Sequence, residues 1–266
     1  MKGALQMLFE EERKRKIAEY VQTRSRASVP ELAAHFQVSE STVRRDLRDL
    51  EGEKLLRRTH GGAVALELQD SREPSFVEKE DRLAEQKELV AEAALSFIQE
   101  GDTIFLDSGT TTYRLAKRLK RLGKLTVVTN STMVMQELHS SPMIELVMTG
   151  GSLRHETLAM VGPIADRAIA SVRVEKLFLA INGIDPESGL TTPNLTEAQT
   201  KRMMMESAKQ VYLLTDHSKY GKVAFAKVAD LPEVHHIIVD DGISARAVQE
   251  MESEGIQVTI AKERGQ

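Results

Sequence analysis

Residues 30–64 read PELAAHFQVSESTVRRDLRDLEGEKLLRRTHGGAV, and the order of signals in this stretch decides the fold. At its start, Ser28 and Glu31 have the spacing of a capping box, with Pro30 tolerated in the first helical turn. Val29, Leu32, Ala33 and Phe36 then fall at i, i+3, i+4 and i+7, the apolar stripe of a short helix. After a break at Gln37-Val38, Ser39 is placed to cap a second helix, whose Val43, Leu47 and Leu50 form another stripe. Residues 55–59 and 61–64 follow as two short extended pieces, with glycines placed to make a β-wing. Upstream, residues 10–21 carry Ile17, Tyr20 and Val21 at helical spacing, so three helices and a wing are expected within residues 7–64.

The outward face of the last helix is basic. At ~100° per residue from Val43, the residues Ser41, Arg44, Arg45 and Arg48 share an arc of ~100–200°, opposite the apolar stripe. Such a helix can lie in a DNA major groove, with Ser41 and Thr42 near its N-terminus and the arginines reaching guanine edges or phosphates. Taken singly, each arginine is a solvated surface charge, and Arg45 with Asp49 at i, i+4 has the spacing of a solvent-side ion pair. The ordered combination of two capped helices, a tight break and a wing raises the set above that alternative.

The whole chain has 266 residues, of which 41% are hydrophobic and 29% charged, a composition that suits two globular domains and excludes a fibrous or wholly disordered chain. With no cysteine, disulfides, thiolate metal sites and cysteine nucleophiles are excluded. The net charge of -4 hides an asymmetry: residues 1–60 hold 13 Lys and Arg against 10 Asp and Glu, whereas residues 61–266 hold 23 against 30. No apolar run approaches the ~20 residues of a membrane span. The opening MKGALQMLF runs into EEERKRK too soon for a signal peptide, so a cytoplasmic protein with no membrane partner is expected.

Residues 65–82 are polar and carry Pro74, the composition of a linker or wrapping arm. Residues 83–266 alternate strand and helix patterns, which predicts an α/β domain with a mostly parallel sheet. Strands are expected at 103–106, 125–128, 144–148, 176–180, 211–214, 236–239 and 257–260, and helices at 87–98, 113–122, 197–208 and 245–254. Ligands bind such sheets beyond the carboxyl ends of the strands, where this sequence places small polar residues. Asp107-Ser-Gly-Thr-Thr-Thr112 leaves a strand and opens a helix, so backbone N–H groups, Gly109 and the hydroxyls of Thr110, Thr111 and Thr112 can cradle a phosphate or carboxylate. Similar ends follow at Thr129-Asn130-Ser131, Thr149-Gly150-Gly151 and Asp216-His-Ser-Lys219, and Lys219 supplies a cation for the same anion. Asp107 and Glu197 are candidates for sugar hydroxyls.

Other chemistry lacks its signatures. There is no Gly-x-Gly-x-x-Gly, Walker loop or Gly-x-Ser-x-Gly elbow, and His155-Glu156 fails as a zincin because position 159 is Ala. No cofactor, metal or catalytic set is expected. His235-His236 reads as an in/out pair on a strand, and Met203-Met204-Met205 as core or interface filler.

The stretch 30–64 resembles the N-terminal domain of the deoxyribose-operon repressor (DeoR) family of bacterial transcription regulators. That resemblance implies a winged helix-turn-helix, with DNA contact at Ser41, Thr42, Arg44 and Arg45 and weaker wing contacts at Arg57, Arg58 and His60. It also points to Met7 as the natural start. The second half resembles the effector domain of the same family through DSGTTT (107–112), VVTNS (127–131), MTGGSLR (148–154), GIDPESGLTT (183–192), TEAQTKR (196–202) and TDHSKYG (215–221). It departs at His217, where the family commonly has a small residue. The likeness implies a domain related to sugar-phosphate isomerases that binds a phosphorylated sugar, with Asp107, Gly109 to Thr112, Asn130, Gly151, Asp185, Glu197 and Lys219 around it. The expected protein is therefore a DNA-binding repressor of sugar catabolism genes that senses a phosphorylated sugar and is not an enzyme. Reading short half-sites specifically requires a homo-oligomer, a dimer or tetramer. The alternative, a sugar-phosphate isomerase or deaminase with a fused N-terminal module, has no use for a basic, groove-sized helix.

Overall fold

The computed structural model describes residues 10–24, 26–53, 55–59, 61–65 and 73–263. They fall into two compact units, with the boundary between Glu73 and Pro74. The first unit runs α1 (Glu10–Arg24), β1 (Arg26–Ser28), α2 (Val29–Phe36), α3 (Glu40–Gly52), β2 (Leu56–Thr59) and β3 (Gly62–Ala65). Ser28 caps α2 in a full capping box with Glu31, and Gln37 ends that helix in the left-handed conformation, at the break expected there. Ser39 caps α3. The apolar stripes meet as expected, with Val29, Leu32, Val43, Leu47 and Leu50 buried against Ile17 and Val21 of α1. β2 and β3 form the wing hairpin, and β1 pairs antiparallel with β3. At Gly62 a Cβ would stand 2.1 Å from the Ala27 carbonyl oxygen, so only glycine allows β1 and β3 to approach this closely.

The second unit opens with two helices, α4 (Phe76–Asp81) and α5 (Ala84–Leu95). It continues β4 (Thr103–Leu106), α6 (Thr110–Leu119), β5 (Leu125–Thr129), α7 (Thr132–Leu138), β6 (Ile144–Met148), β7 (Ser152–Arg154), β8 (Ala159–Val161), α8 (Pro163–Ala170) and β9 (Val174–Leu179). Then come β10 (Gly183–Asp185), β11 (Gly189–Thr192), α9 (Leu195–Ser207), β12 (Ala208–Thr215), β13 (Ala226–Ala229), β14 (His236–Asp240), α10 (Ala245–Ser253) and β15 (Gln257–Ala261). The seven strands expected from the sequence form one sheet in the order β15-β14-β12-β9-β4-β5-β6. All six pairings in it are parallel. Strand alternation builds a core on each face: Phe105, Leu177, Leu179, Leu213 and Ile237 point one way, while Ile104, Leu106, Phe178, Tyr212 and Ile238 point the other. Met204 and Met205 are core filler on the first of these faces. His236 is buried and stacks on Tyr212, whereas His235 is exposed, the in/out pair expected.

One expectation needs correction. Residues 65–82 are not linker throughout, because from Pro74 the chain belongs to the second unit. Ser75 and Glu78 form a capping box that starts α4, and Phe76 is buried edge-on against Tyr113 of α6. Residues 66–72 lie outside the described residues. The short antiparallel elements β7-β8 and β10-β11-β13 were not foreseen. No described helix is long and apolar enough to cross a membrane.

Candidate functional site

In the first unit the site is the outer face of α3. The Ser39 hydroxyl accepts from the Thr42 backbone N–H at 3.2 Å and lies 2.8 Å from the hydroxyls of both Ser41 and Thr42, so these two are gathered at the N-terminus of the helix. Arg44, Arg45 and Arg48 are exposed. Arg44 reaches back to Glu40 at 3.1 Å, an exposed i, i+4 pair of small worth. Arg45 and Arg48 make no hydrogen bond or ion pair among the described residues. The ion pair between Arg45 and Asp49 weighed from the sequence is absent, because Asp49 is bound by Lys14 of α1 at 2.8 Å. Asp46, fully buried, takes two hydrogen bonds from Arg13 at 2.7 and 3.1 Å. On the wing, the Arg58 backbone N–H donates to Glu51 at 2.9 Å and its side chain is exposed. The Arg57 side chain and His60 lie outside the described residues.

In the second unit the winding direction reverses between β4 and β9, and the polar residues expected to bind a ligand gather at the carboxyl ends of these strands and of β5 and β12. They divide into groups committed to the fold and groups left available. Asp107 is committed: its carboxylate accepts from the Ser108 backbone at 2.7 Å, the Ala180 backbone at 3.0 Å and Lys201 Nζ at 2.5 Å. Lys201 also contacts Glu197 at 3.5 Å, and Glu197 takes Arg154 at 2.8 Å. Burial pulls the Lys201 pKa down, but the facing Asp107 and Glu197 outweigh it and hold the value above the ordinary lysine range. The Thr112 hydroxyl donates to the carbonyls of Asp107 and Gly109 at 2.6 and 2.8 Å. Asp185 caps the β10–β11 turn by accepting from the Glu187 and Ser188 N–H groups at 3.1 and 2.8 Å. Gly151 has φ +119°, and a Cβ there would stand 2.8 Å from the Val161 carbonyl. A Cβ at Gly109 would stand 2.2 Å from the Ala180 methyl. The polar side chains of Asp107, Thr112, Asp185 and Glu197 are thus engaged within the second unit, and Gly109 and Gly151 allow close backbone approach.

The available groups are fewer. α6 starts at Gly109 without a side-chain cap, leaving its first N–H groups and the hydroxyls of Thr110 and Thr111 open to an acceptor. The Asn130 side chain donates to the Met160 carbonyl at 3.1 Å, while its Oδ1 is buried with no hydrogen-bond partner among the described residues. The Lys219 ammonium is half-buried and has no hydrogen bond or ion pair among the described residues. Burial lowers its pKa, which Asp216 opposes and Lys222, Lys79 and Arg82 reinforce. Lys87, almost fully buried, donates to the carbonyls of Lys79 and Arg82. Its pKa is lowered to about 8 by burial, with Asp216 opposing and Lys219 and Arg114 adding to the fall. Lys219 thus lies within electrostatic reach of Lys87, and the two ammonium groups make their surroundings electropositive, with Asp216 as the opposing charge they share.

Lys87 and Lys201 were missed in the sequence. Each left a trace: Lys87 lies on the same stripe as the buried Val90, Ala91 and Ala94, and Glu197 and Lys201 stand at i, i+4 in a helix whose Ala198, Met204 and Met205 are buried. His217, where the sequence departs from the family pattern, places its Nδ1 2.6 Å from the buried Asp240.

Comparison with known proteins bears on both units. Residues 13–69 match the model of the DeoR-like helix-turn-helix domain, and residues 82–241 match that of the DeoR C terminal sensor domain. The chain is 40% identical over 247 residues to the HTH-type transcriptional regulator GlpR of Haloferax volcanii, covering 93% of this chain and 96% of that protein. It is 33% identical to a putative aga operon transcriptional repressor of Escherichia coli O157:H7, covering 95% and 94%. Among solved structures, a D-ribose-5-phosphate isomerase in complex with phospho-erythronic acid shares 17% identity at a TM-score of 0.39, covering 52% of this chain and 54% of that one.

Proposed function

The chain belongs to the DeoR family of helix-turn-helix transcriptional regulators, and from that premise we propose that it represses sugar-utilisation genes and leaves its operator when a phosphorylated sugar binds the second unit. The exposed face of α3 (Ser41, Thr42, Arg44, Arg45 and Arg48) enters the major groove, and Arg57, Arg58 and His60 contact the backbone from the wing. The phosphate sits at the open start of α6, on the N–H groups and hydroxyls of Thr110 and Thr111, and is met by Lys219. Asn130 takes a sugar hydroxyl on its unpartnered oxygen. Asp107, Gly109, Thr112, Gly151, Asp185 and Glu197 hold this pocket in shape. The observation that carries the reading is the half-buried Lys219 ammonium, which has no hydrogen bond or ion pair among the described residues and feels Lys222, Lys79 and Arg82 against the opposing charge of Asp216; a bound anion stabilises such a charge. Operator reading by paired half-sites calls for a dimer or tetramer.

Thermal shift tests this proposal directly. A panel of sugar phosphates, each run beside its free sugar, should contain at least one phosphate ester that raises the unfolding temperature and releases operator DNA while the free sugar does neither. Turnover of that ester at enzyme-like rates would favour an isomerase or deaminase instead.

A further inference from the structure

The acids of α3 pose a problem for a helix meant to meet DNA. Asp49 stands one turn from Arg45 and next to Arg48, where it is placed to neutralise either guanidinium. Instead, two successive cations of α1 reach across to the two inner acids of α3. Arg13 takes Asp46 at 2.7 Å and Lys14 takes Asp49 at 2.8 Å. The Lys14 side chain is 10% exposed, whereas Asp49 is 38% exposed, so the lysine is fixed by packing between the helices and the carboxylate turns to it. Lys14 lowers the Asp49 pKa most, and Arg45 and Arg48 lower it further, so both arginines remain within electrostatic reach of the carboxylate.

We infer that Lys14 is a positioning residue for DNA recognition: by holding Asp49 against α1 it keeps that carboxylate off Arg45 and Arg48 and leaves both guanidiniums to the nucleic acid. This rests on the reading that α3 faces the groove. Without the lysine, Asp49 competes intramolecularly with the phosphates and base edges for the same cations and adds a repulsive charge at the interface. A purely stabilising helix-to-helix pair acts differently, since its loss lowers the unfolding midpoint without changing the affinity of the folded protein for DNA.

The test uses the full chain and a duplex selected from a random-sequence library with the wild-type protein, with affinity measured across a salt series. Lys14→Met should weaken binding about two- to tenfold and flatten the salt dependence. Adding Asp49→Asn should restore wild-type affinity. In an Arg45→Ala/Arg48→Ala background, Lys14→Met should cause no further loss. Wild-type affinity in Lys14→Met, or failure of Asp49→Asn to rescue it, would overturn the inference. Should Lys14→Met unfold the first unit by circular dichroism, Lys14→Gln carries the same expectation. Unchanged binding by Arg45→Ala/Arg48→Ala would instead overturn the assignment of α3 to the groove, which separates the two failures.

Discussion

Lys201 Nζ lies 2.5 Å from Asp107 Oδ2 with both side chains buried, the lysine on α9 and the aspartate at the carboxyl end of β4. The pair clamps a helix to the point where the sheet reverses its winding, and the Ala180 N–H on the same carboxylate oxygen adds β9 to the clamp. Charge buried this deeply gives modest net stability while paired, but removing one partner strands the other away from solvent.

Lys201→Met should therefore destabilise the second unit by about 3–5 kcal/mol, read as an earlier urea transition of that unit. Lys201→Met with Asp107→Asn should recover part of the loss, since the stranded charge is gone. Equal midpoints for wild type and Lys201→Met would show that the pair contributes nothing.

Gly109 gives a purely steric expectation. Its φ of -84° suits any residue, so the cost of Gly109→Ala comes from the Ala180 methyl 2.2 Å from the added carbon. Overpacking of this kind costs about 1–3 kcal/mol. Ala180→Gly in the same chain should restore the urea midpoint to near that of Ala180→Gly alone, and no recovery would mean that the clash lies elsewhere.

The sequence reading succeeded where a local pattern coincides with the tertiary role. The inner strands of the parallel sheet were legible through buried apolar stretches such as Ile104 to Leu106 or Ile237 to Val239, the half-exposed edge strands β6 and β15 through the alternation of strand and helix patterns, and α2 and α3 because cap and stripe agree. β10, β11 and β13 were not, since three or four residues including Gly189, Thr191 and Thr192 become strands only through one another. α4 was hidden by Pro74 and a run of charges, although Ser75 and Glu78 carried its cap. At the site, residue type revealed where polar groups collect but not which way they turn. Thr111 and Thr112 are identical in sequence terms, yet only the Thr112 hydroxyl is consumed by the carbonyls behind it.

The recognition face yields a ranking. Arg44 carries its own counter-charge on Glu40, while Arg45 and Arg48 make no ion pair among the described residues. Arg45→Ala and Arg48→Ala should each cost about 1–3 kcal/mol if they read bases, or reduce the salt slope by about 1 with uniform loss across sequences if they bind phosphate. Arg44→Ala should cost less than either. The ranking fails if Arg44→Ala proves the most damaging of the three in mobility-shift titrations with circular dichroism unchanged.

Lys87 sets a pH dependence. Its folded pKa of about 8 lies below the ordinary lysine value of 10.5, so between these limits the unfolded chain binds more protons and stability should rise with pH across the window. The same deprotonation removes a positive charge from the pocket, so the sugar phosphate needed to release operator should increase as pH passes about 8. Lys87→Arg, which stays charged, should keep the response flat to about pH 9. A wild-type response independent of pH from 7 to 9 would exclude Lys87 from the pocket's charge.

Lys219 separates sensing from DNA binding. Lying in the other folding unit, it can influence the operator only by differential binding of the effector to two states of the protein. Lys219→Ala should bind operator with wild-type affinity and lose most of its response to the sugar phosphate, because a charge-assisted contact to the phosphate is gone. Linkage adds a reciprocal demand on the wild type: operator duplex must weaken sugar-phosphate binding by the same factor by which the sugar phosphate weakens operator binding. Calorimetric titration of the effector, with and without saturating duplex, measures that factor independently of mobility shift. Unequal factors would mean that effector and operator compete through something other than one shared equilibrium, and an intact response in Lys219→Ala would remove the lysine from the phosphate site.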